Sequence, residues 1–172
     1  MLINLETVPP FYKNYVKQIE ESDLLQALRI SGHRTLELVH SIKEEKKDFR
    51  YADGKWTIRE LLCHMIDAER IFAYRALRFA RNDKTPLAGW EENDYAPRAN
   101  ASNRSLKQIA DEMRHVRIST LDLFEGFTEE MFWHKGVANN NEMSVLVLGF
   151  VIAGHETHHR KILTERYLDT KK

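Results

Sequence analysis

The sequence predicts an all-α protein, a four-helix bundle with a long loop between its second and third main helices. Its 172 residues include only 7 Gly and 4 Pro, so few positions interrupt a helix. Apolar residues recur at alternating steps of three and four in several long segments, which is the period of a helix with one buried face. The sequence offers no convincing pair of β-strands.

Length and composition predict one soluble domain that spans residues 1–172. Apolar residues make up 42% of the chain and charged residues 30%, and the net charge of +0 argues against a nucleic-acid-binding surface built on bulk charge. Charged residues interrupt every apolar stretch, and residues 1–10 lack the features of a secretory signal. Because Cys63 is the single cysteine, no internal disulfide can form, and we expect a cytoplasmic protein that binds neither nucleic acid nor membrane.

The first elements are two helices and a loop. Pro9 and Pro10 open a short helix near residues 11–20, and Ser22 is the predicted N-cap of the first long helix. The segment 49–56 contains an Asp-Gly pair, which is typical of a turn, and therefore separates this helix from the next.

The second main helix begins at Thr57 and runs to about Arg81. Glu60 stands three residues after Thr57 and completes a capping box, and no Gly or Pro follows within the helix. The connection from Asn82 to Arg104 contains two prolines and a glycine. Connections of this length are uncommon in compact domains and often serve as lids or binding loops.

The last elements are two further long helices and a short one. The third main helix spans residues 105–125, and a short helical piece spans residues 128–133. Residues 136–141 contain Gly and three consecutive Asn and predict a turn. Ser144 is the predicted N-cap of the last helix, which reaches about Leu168.

Three histidines occupy positions that face the predicted core. His155 and His159 are four residues apart on the apolar stripe of the last helix, and His64 stands on the apolar stripe of the second. A buried imidazole without a partner is costly, so each must form a hydrogen bond or bind something else. A satisfied core histidine is the simpler interpretation of one such residue, but three on two helices favour a metal site with an open coordination position.

The other histidines carry less information. His33, His40, His115 and His134 are isolated, and we expect solvated or capping roles for them. His158 points roughly 100° away from His159 on a helix and should lie at the edge of the apolar stripe.

Residues 155–159 also match the H-E-x-x-H motif of zinc metalloproteases. The extended motif is absent, since Ile162 stands at its glycine position and Glu165 at its third histidine. We therefore interpret Glu156 as a residue of the helix surface, or as one that contacts the metal ligands without binding the metal itself. We do not interpret it as a catalytic base.

Two segments carry a resemblance to a known family. They are GKWTIRELLCHMIDAER at residues 54–70 and AGHETHH at residues 153–159, and residues 74–77 and 85–87 also fit. The chain resembles the DinB family of DinB/YfiT-like metalloenzymes. This resemblance implies an up-and-down bundle with an unusual helix order, often a homodimer, and a metal ion held by three histidines, which here are His64, His155 and His159.

The resemblance also implies a range of activities. Family members bind nickel, zinc or other divalent ions, and they include transferases of low-molecular-weight thiols such as bacillithiol, mycothiol or glutathione, and proteins described as metal-dependent hydrolases. A divalent ion with three neutral ligands can activate either water or a thiol, so the ligands leave hydrolysis and thiol transfer open. In both cases we expect a small-molecule substrate.

Residues that could bind the substrate are few. Asp67 could orient a ligand imidazole or form a surface ion pair with Arg70 or Arg75. Arg75 itself could hold an anionic group or form a salt bridge at the end of the bundle. The adjacent Cys63 lies about 100° round the helix from His64, and we interpret it as a core residue rather than a nucleophile.

Aromatic residues could form the walls of the site. The candidates are Trp56, Trp90, Tyr95 and the 82–104 loop, although simple packing is the competing interpretation.

Three functional hypotheses remain. The chain is a metal-dependent enzyme, a non-catalytic metal-binding or stress-response protein, or a structural helical module with core histidines. The absence of a fourth Cys, His or Asp at ligand spacing in either motif favours an open and catalytic site.

Overall fold

The computed structural model describes residues 3–169, which form seven α-helices and one β-hairpin. The helices are α1 (Pro10–Val16), α2 (Leu24–Ser41), α3 (Ile58–Ala80), α4 (Glu92–Tyr95), α5 (Leu106–Glu125), α6 (Glu129–Trp133) and α7 (Val145–Ile162), and the strands are β1 (Lys135–Ala138) and β2 (Asn141–Ser144). The four long helices α2, α3, α5 and α7 form the predicted four-helix bundle. Between residues 3 and 169, no helix has both the length and the apolar character needed to cross a membrane.

The order of the helices around the bundle differs from their order in the chain. Helix α2 packs against α5 and α7, and α3 packs against the same two helices. Consecutive helices α2 and α3 therefore face each other across a diagonal, as do α5 and α7. This arrangement requires long connections, and it places α3 beside α7, the two helices that carry the core histidines.

Side-chain caps fix where the long helices begin. Thr57 and Glu60 form the predicted capping box at α3, and Ser144 accepts a hydrogen bond from the first turn of α7. The predicted N-cap of α2 is wrong by one residue. Asp23 accepts a hydrogen bond from the amide of Gln26 at 2.9 Å, and Ser22 precedes the cap.

Helix α7 is the most deeply buried element. Every residue from Val145 to Thr157 is buried, because α1, α2 and α3 all pack against this helix. Gly154 permits the closest of these contacts, since a Cβ atom there would lie 2.4 Å from the carbonyl oxygen of Tyr15. The last turn of α1 therefore lies directly over the part of α7 that carries His155.

A β-hairpin is the main departure from the predicted fold. Strands β1 and β2 pair antiparallel, and Asn139 and Asn140 turn the chain between them with φ values of 48° and 59°. The turn was predicted but the strands were not, because four residues are too few for an alternating pattern. Leu87 adds to this hairpin through hydrogen bonds with Val137 and Asn139 of 2.9 and 3.0 Å.

The predicted 82–104 loop contains structure of its own. It includes α4 and two 3₁₀ turns at Ala96–Arg98 and Ala101–Asn103. Because Leu87 is bonded to the hairpin, the first part of this segment is held against the bundle.

We predict that Gly154→Ala lowers the free energy of unfolding by about 1–3 kcal/mol, since the new methyl group meets the Tyr15 backbone. Chemical denaturation followed by circular dichroism measures this change. Gly126→Ala is the matched control, because its Cβ would meet no atom closer than 3.5 Å. Equal stability of the two variants would contradict the close contact between α1 and α7.

Candidate metal centre

Three imidazole rings converge between α3 and α7. The Nε2 atom of His64 lies 3.1 Å from that of His155 and 3.2 Å from that of His159, and the latter two are 3.1 Å apart. His155 and His159 are one turn apart on α7, and His64 reaches them from α3. All three side chains are buried. The structure therefore brings together all three residues that the sequence singled out.

Burial keeps these rings neutral at pH 7. It lowers the pKa of His64 to about 4. Burial, reinforced by repulsion from the neighbouring rings, also holds the pKa values of His155 and His159 well below the ordinary range. Each neutral imidazole offers one nitrogen lone pair, which is the form that binds metal ions.

Without a cation, the hydrogen-bonding capacity of these ring nitrogens is poorly satisfied. A proton shared between two Nε2 atoms serves only one pair, and the third nitrogen still faces them at 3.1–3.2 Å. Within residues 3–169, the Nδ1 atoms of His64 and His159 are also buried without a hydrogen-bond partner. Hydrogen bonds of the Nδ1 atoms of His64 and His159 therefore do not explain why these rings are buried. The Nε2 atoms of all three rings point to a common centre.

The three nitrogens match the size of a metal site. Zinc–imidazole bonds of roughly 2.0–2.1 Å would place the ligands of a tetrahedral site about 3.3–3.4 Å apart. The observed separations of 3.1–3.2 Å are close to that spacing. Among the described residues, the cluster of possible ligand atoms consists of these three histidines. Three donors leave at least one coordination position for another ligand.

Aromatic rings surround the cluster. Trp56 and Trp90 lie beside the His64 ring, with centroid distances of 4.8 and 5.6 Å. Tyr15 places its ring edge-on to His155 at 5.4 Å. These rings exclude water from the outer sides of the imidazoles, so charge at the centre is weakly screened.

The position of Trp90 depends on contacts that the residues before it make. Arg75 donates a hydrogen bond to the carbonyl oxygen of Ala88 at 3.0 Å. Gly89 packs against the side chain of Asn139 in the hairpin turn, where a Cβ atom would lie 2.4 Å from the amide oxygen. The predicted wall residue Trp90 is therefore held over the site from both sides, and Tyr95 packs behind it at 5.2 Å.

The salt bridge that Arg75 could form at the end of the bundle is not observed. Its guanidinium is buried, and in residues 3–169 no carboxylate pairs with it. Burial lowers its pKa, and contact with Tyr12 partly offsets this effect. Arg75 instead anchors the segment that carries Trp90.

Asp67 also lacks both of its predicted roles. Its carboxylate does not reach the buried Nδ1 atom of His64, and Arg70 pairs with Glu112 at 2.6 Å instead. Burial raises the pKa of Asp67, and the nearby charges of Arg70 and Arg104 oppose that rise.

Glu156 is a buried ion-pair residue. The prediction that it could lie on the helix surface is wrong, because Arg117 of α5 donates to its carboxylate at 2.8 Å. Arg117 also forms two hydrogen bonds of 2.8 Å with Glu69 of α3. Burial opposes the guanidinium charge, but the two carboxylates outweigh it and hold the pKa of Arg117 above its ordinary value. The Glu156 carboxylate is thus paired with Arg117, which argues against the role of catalytic base that the protease motif would give it.

Arg117 connects all four long helices. Besides Glu69 and Glu156, it donates to the carbonyl oxygen of Leu28 in α2 at 2.5 Å. Gly32 makes room for it, since a Cβ atom there would lie 2.6 Å from Nη1. This residue was not predicted from the sequence, although its position four residues after Met113, on the apolar stripe of α5, is a usable signal.

The remaining histidines do not belong to the cluster. His33, His40 and His115 are exposed, and His134 is half-buried with Nδ1 at 3.1 Å from the carbonyl oxygen of Ala80. His158 is half-buried and packs beside Tyr15 at the edge of the apolar stripe, as predicted.

Cys63 is a core residue, as predicted. It is buried, and its sulfur accepts a hydrogen bond from Arg104 at 3.5 Å. Burial raises the pKa of its thiol, which disfavours the nucleophilic thiolate.

Fold and site together define a four-helix bundle with a buried three-histidine centre on two neighbouring helices. The chain belongs to the DinB superfamily, whose family model matches residues 27–163. A protein of Oceanobacillus iheyensis named "putative metal-dependent hydrolase" is 28% identical over 141 residues, which is 78% of each chain. The solved structure of YfiT from Bacillus subtilis, described as a probable metal-dependent hydrolase with an unusual four-helix bundle topology, has a TM-score of 0.73. It is 16% identical, and the match covers 83% of this chain and 82% of YfiT.

We predict that Arg117→Met lowers the free energy of unfolding by about 3–5 kcal/mol, because it leaves the carboxylates of Glu69 and Glu156 buried without a counter-charge. Urea denaturation measures the loss. Arg114→Met on the same helix is the control, and its exposed side chain should contribute less than about 0.5 kcal/mol. A loss below about 1 kcal/mol for Arg117→Met would show that the four helices do not depend on this residue.

Proposed function

We propose that His64, His155 and His159 bind one divalent metal ion and that the protein is a metal-dependent hydrolase of a small molecule. The observation that carries this proposal is the convergence of three neutral Nε2 atoms within 3.2 Å of one another. The names of the Oceanobacillus and Bacillus proteins support it. Nickel and zinc are the proposed ions, since imidazole ligands suit both.

A divalent ion held by His64, His155 and His159 would supply Lewis acidity, the chemistry that activates a water or thiol nucleophile. The protein supplies the surroundings. The three histidines carry no charge of their own, so they would hold an ion without neutralising its charge. Trp56 and Trp90 exclude bulk water beside His64, which keeps that charge weakly screened.

Transfer of a low-molecular-weight thiol is the alternative activity, because the same three ligands serve both reactions. A metal-binding role without turnover is the third possibility. We also propose a homodimer, as the resemblance to the DinB family implies. A location in the cytoplasm suits a protein whose single cysteine, Cys63, is buried and forms no disulfide.

Parallel assays separate these activities. Protein loaded with nickel or zinc is tested for hydrolysis of 4-nitrophenyl acetate, and for conjugation of glutathione to 1-chloro-2,4-dinitrobenzene. Hydrolysis that depends on added metal and is lost in His159→Ala supports the proposal. Metal-dependent conjugation without hydrolysis supports thiol transfer, and a loaded protein inactive in both assays contradicts the hydrolase assignment for these substrate classes.

We predict that His155→Ala and His159→Ala each lose stoichiometric nickel and zinc binding and remain folded, because a small apolar residue suits the buried apolar stripe of α7. Metal content by mass spectrometry and helicity by circular dichroism measure the two effects. His158→Ala is the matched control, since its half-buried ring lies outside the cluster. Full metal content in His159→Ala would exclude this residue as a ligand.

A further inference from the structure

A cavity of about 210 Å³ adjoins the histidine cluster on the side of His159. Its lining is mostly aromatic and aliphatic and comes from the 51–56 loop, α3, α4 and the end of the last helix. The lining residues are Tyr51, Gly54, Lys55, Trp56, Leu61, Asn93, His159, Ile162 and Tyr167. Because His159 forms part of the wall, a molecule in this aromatic cavity lies beside the proposed metal centre.

The aromatic wall is fixed by contacts of its own. The Tyr167 hydroxyl donates a hydrogen bond to the carbonyl oxygen of Trp56 at 2.8 Å. Burial raises the pKa of Tyr167 to about 12, so the hydroxyl remains a donor at neutral pH. The rings of Tyr51 and Tyr167 meet edge to face at 4.9 Å. Flat, rigid walls of this kind suit a planar apolar group.

Lys55 gives the aromatic cavity its charge. Among the described residues that line it, Lys55 is the one lysine or arginine, and no carboxylate contributes to the lining. Within the described part of the chain, no carboxylate pairs with the exposed Lys55 ammonium.

The backbone of Lys55 is nevertheless held in place. Arg50 donates to its carbonyl oxygen at 2.5 Å and pairs with Glu60 at 3.3 Å. The neighbouring cation is therefore engaged by a carboxylate, and the Lys55 side chain stays available to a ligand.

We propose that the aromatic cavity binds the substrate of the metal centre, and that this substrate is a small molecule with a planar apolar body and an anionic group that pairs with Lys55. The proposal rests on the proposed function, since it assigns the reacting group to the side of His159. The volume lies below the roughly 300–1,000 Å³ of pockets that hold drug-sized ligands, which favours a compact substrate.

Calorimetric titration with three phenyl probes of similar size and different charge tests the pairing. The purified protein is titrated with phenylacetate, the neutral phenylacetamide and the cationic phenethylamine, before and after removal of metal. We expect phenylacetate to bind about tenfold more tightly than phenylacetamide, and phenethylamine to bind most weakly. Lys55→Met should remove this preference, and Lys55→Arg should retain it. Lys107→Met, on the exposed face of α5, should change nothing.

A second variant tests the cavity itself. Ile162→Trp adds a large ring to the wall and should weaken binding of every probe at unchanged metal content. An unchanged preference for phenylacetate in Lys55→Met overturns the proposal, and so does unchanged binding in Ile162→Trp. If removal of the metal, without any substitution, abolishes the preference for phenylacetate, then the ion and not Lys55 binds the carboxylate. Probe binding that depends on Lys55 in a protein unable to bind metal would contradict the proposed function and keep the cavity assignment.

Discussion

The structure depends on one electrostatic constraint, the convergence of three neutral imidazole nitrogens from buried side chains. A proton on one Nε2 atom can satisfy only one of the three pairs at 3.1–3.2 Å, whereas a cation between the nitrogens would satisfy all three. Other features of the fold support this arrangement. Helix α3 must lie beside α7, Gly154 must let α1 approach, and Trp90 must be held over His64 by the hairpin and Arg75. The unusual order of the helices is what makes α3 and α7 neighbours.

Arg117 supplies the second constraint, because it keeps four helices in register around the centre. It pairs with Glu69 and Glu156, so the group has a net charge of about −1 in a region of weak screening. Both carboxylates line the same small void as His155. A negative group beside three neutral donors favours a cation at the cluster, so the same ion-pair network stabilises the fold and suits the site to a metal.

Sequence reasoning predicted the four-helix bundle, most helix boundaries and the three clustered histidines, because these follow from local rules. A capping box at Thr57 and an i,i+4 pair at His155 and His159 are visible in a few consecutive residues. The hairpin, the ion pairs of Arg117 and the anchoring of Trp90 were not predicted. Each of these features depends on contacts between residues far apart in the chain. The local sequence shows only one partner of such a contact, for example a charged residue on an apolar stripe or a glycine within a helix. The aromatic cavity likewise exists only after the ends of α3 and α7 meet the 51–56 loop.

The metal content of the wild-type protein, purified without a histidine tag or added metal, tests the central claim most directly. Elemental mass spectrometry should find close to one divalent ion per chain, as three converging neutral donors require. Protein without metal, and still without it after incubation with nickel and zinc, would contradict this account. The three histidines would then be core residues, and their convergence would need another explanation.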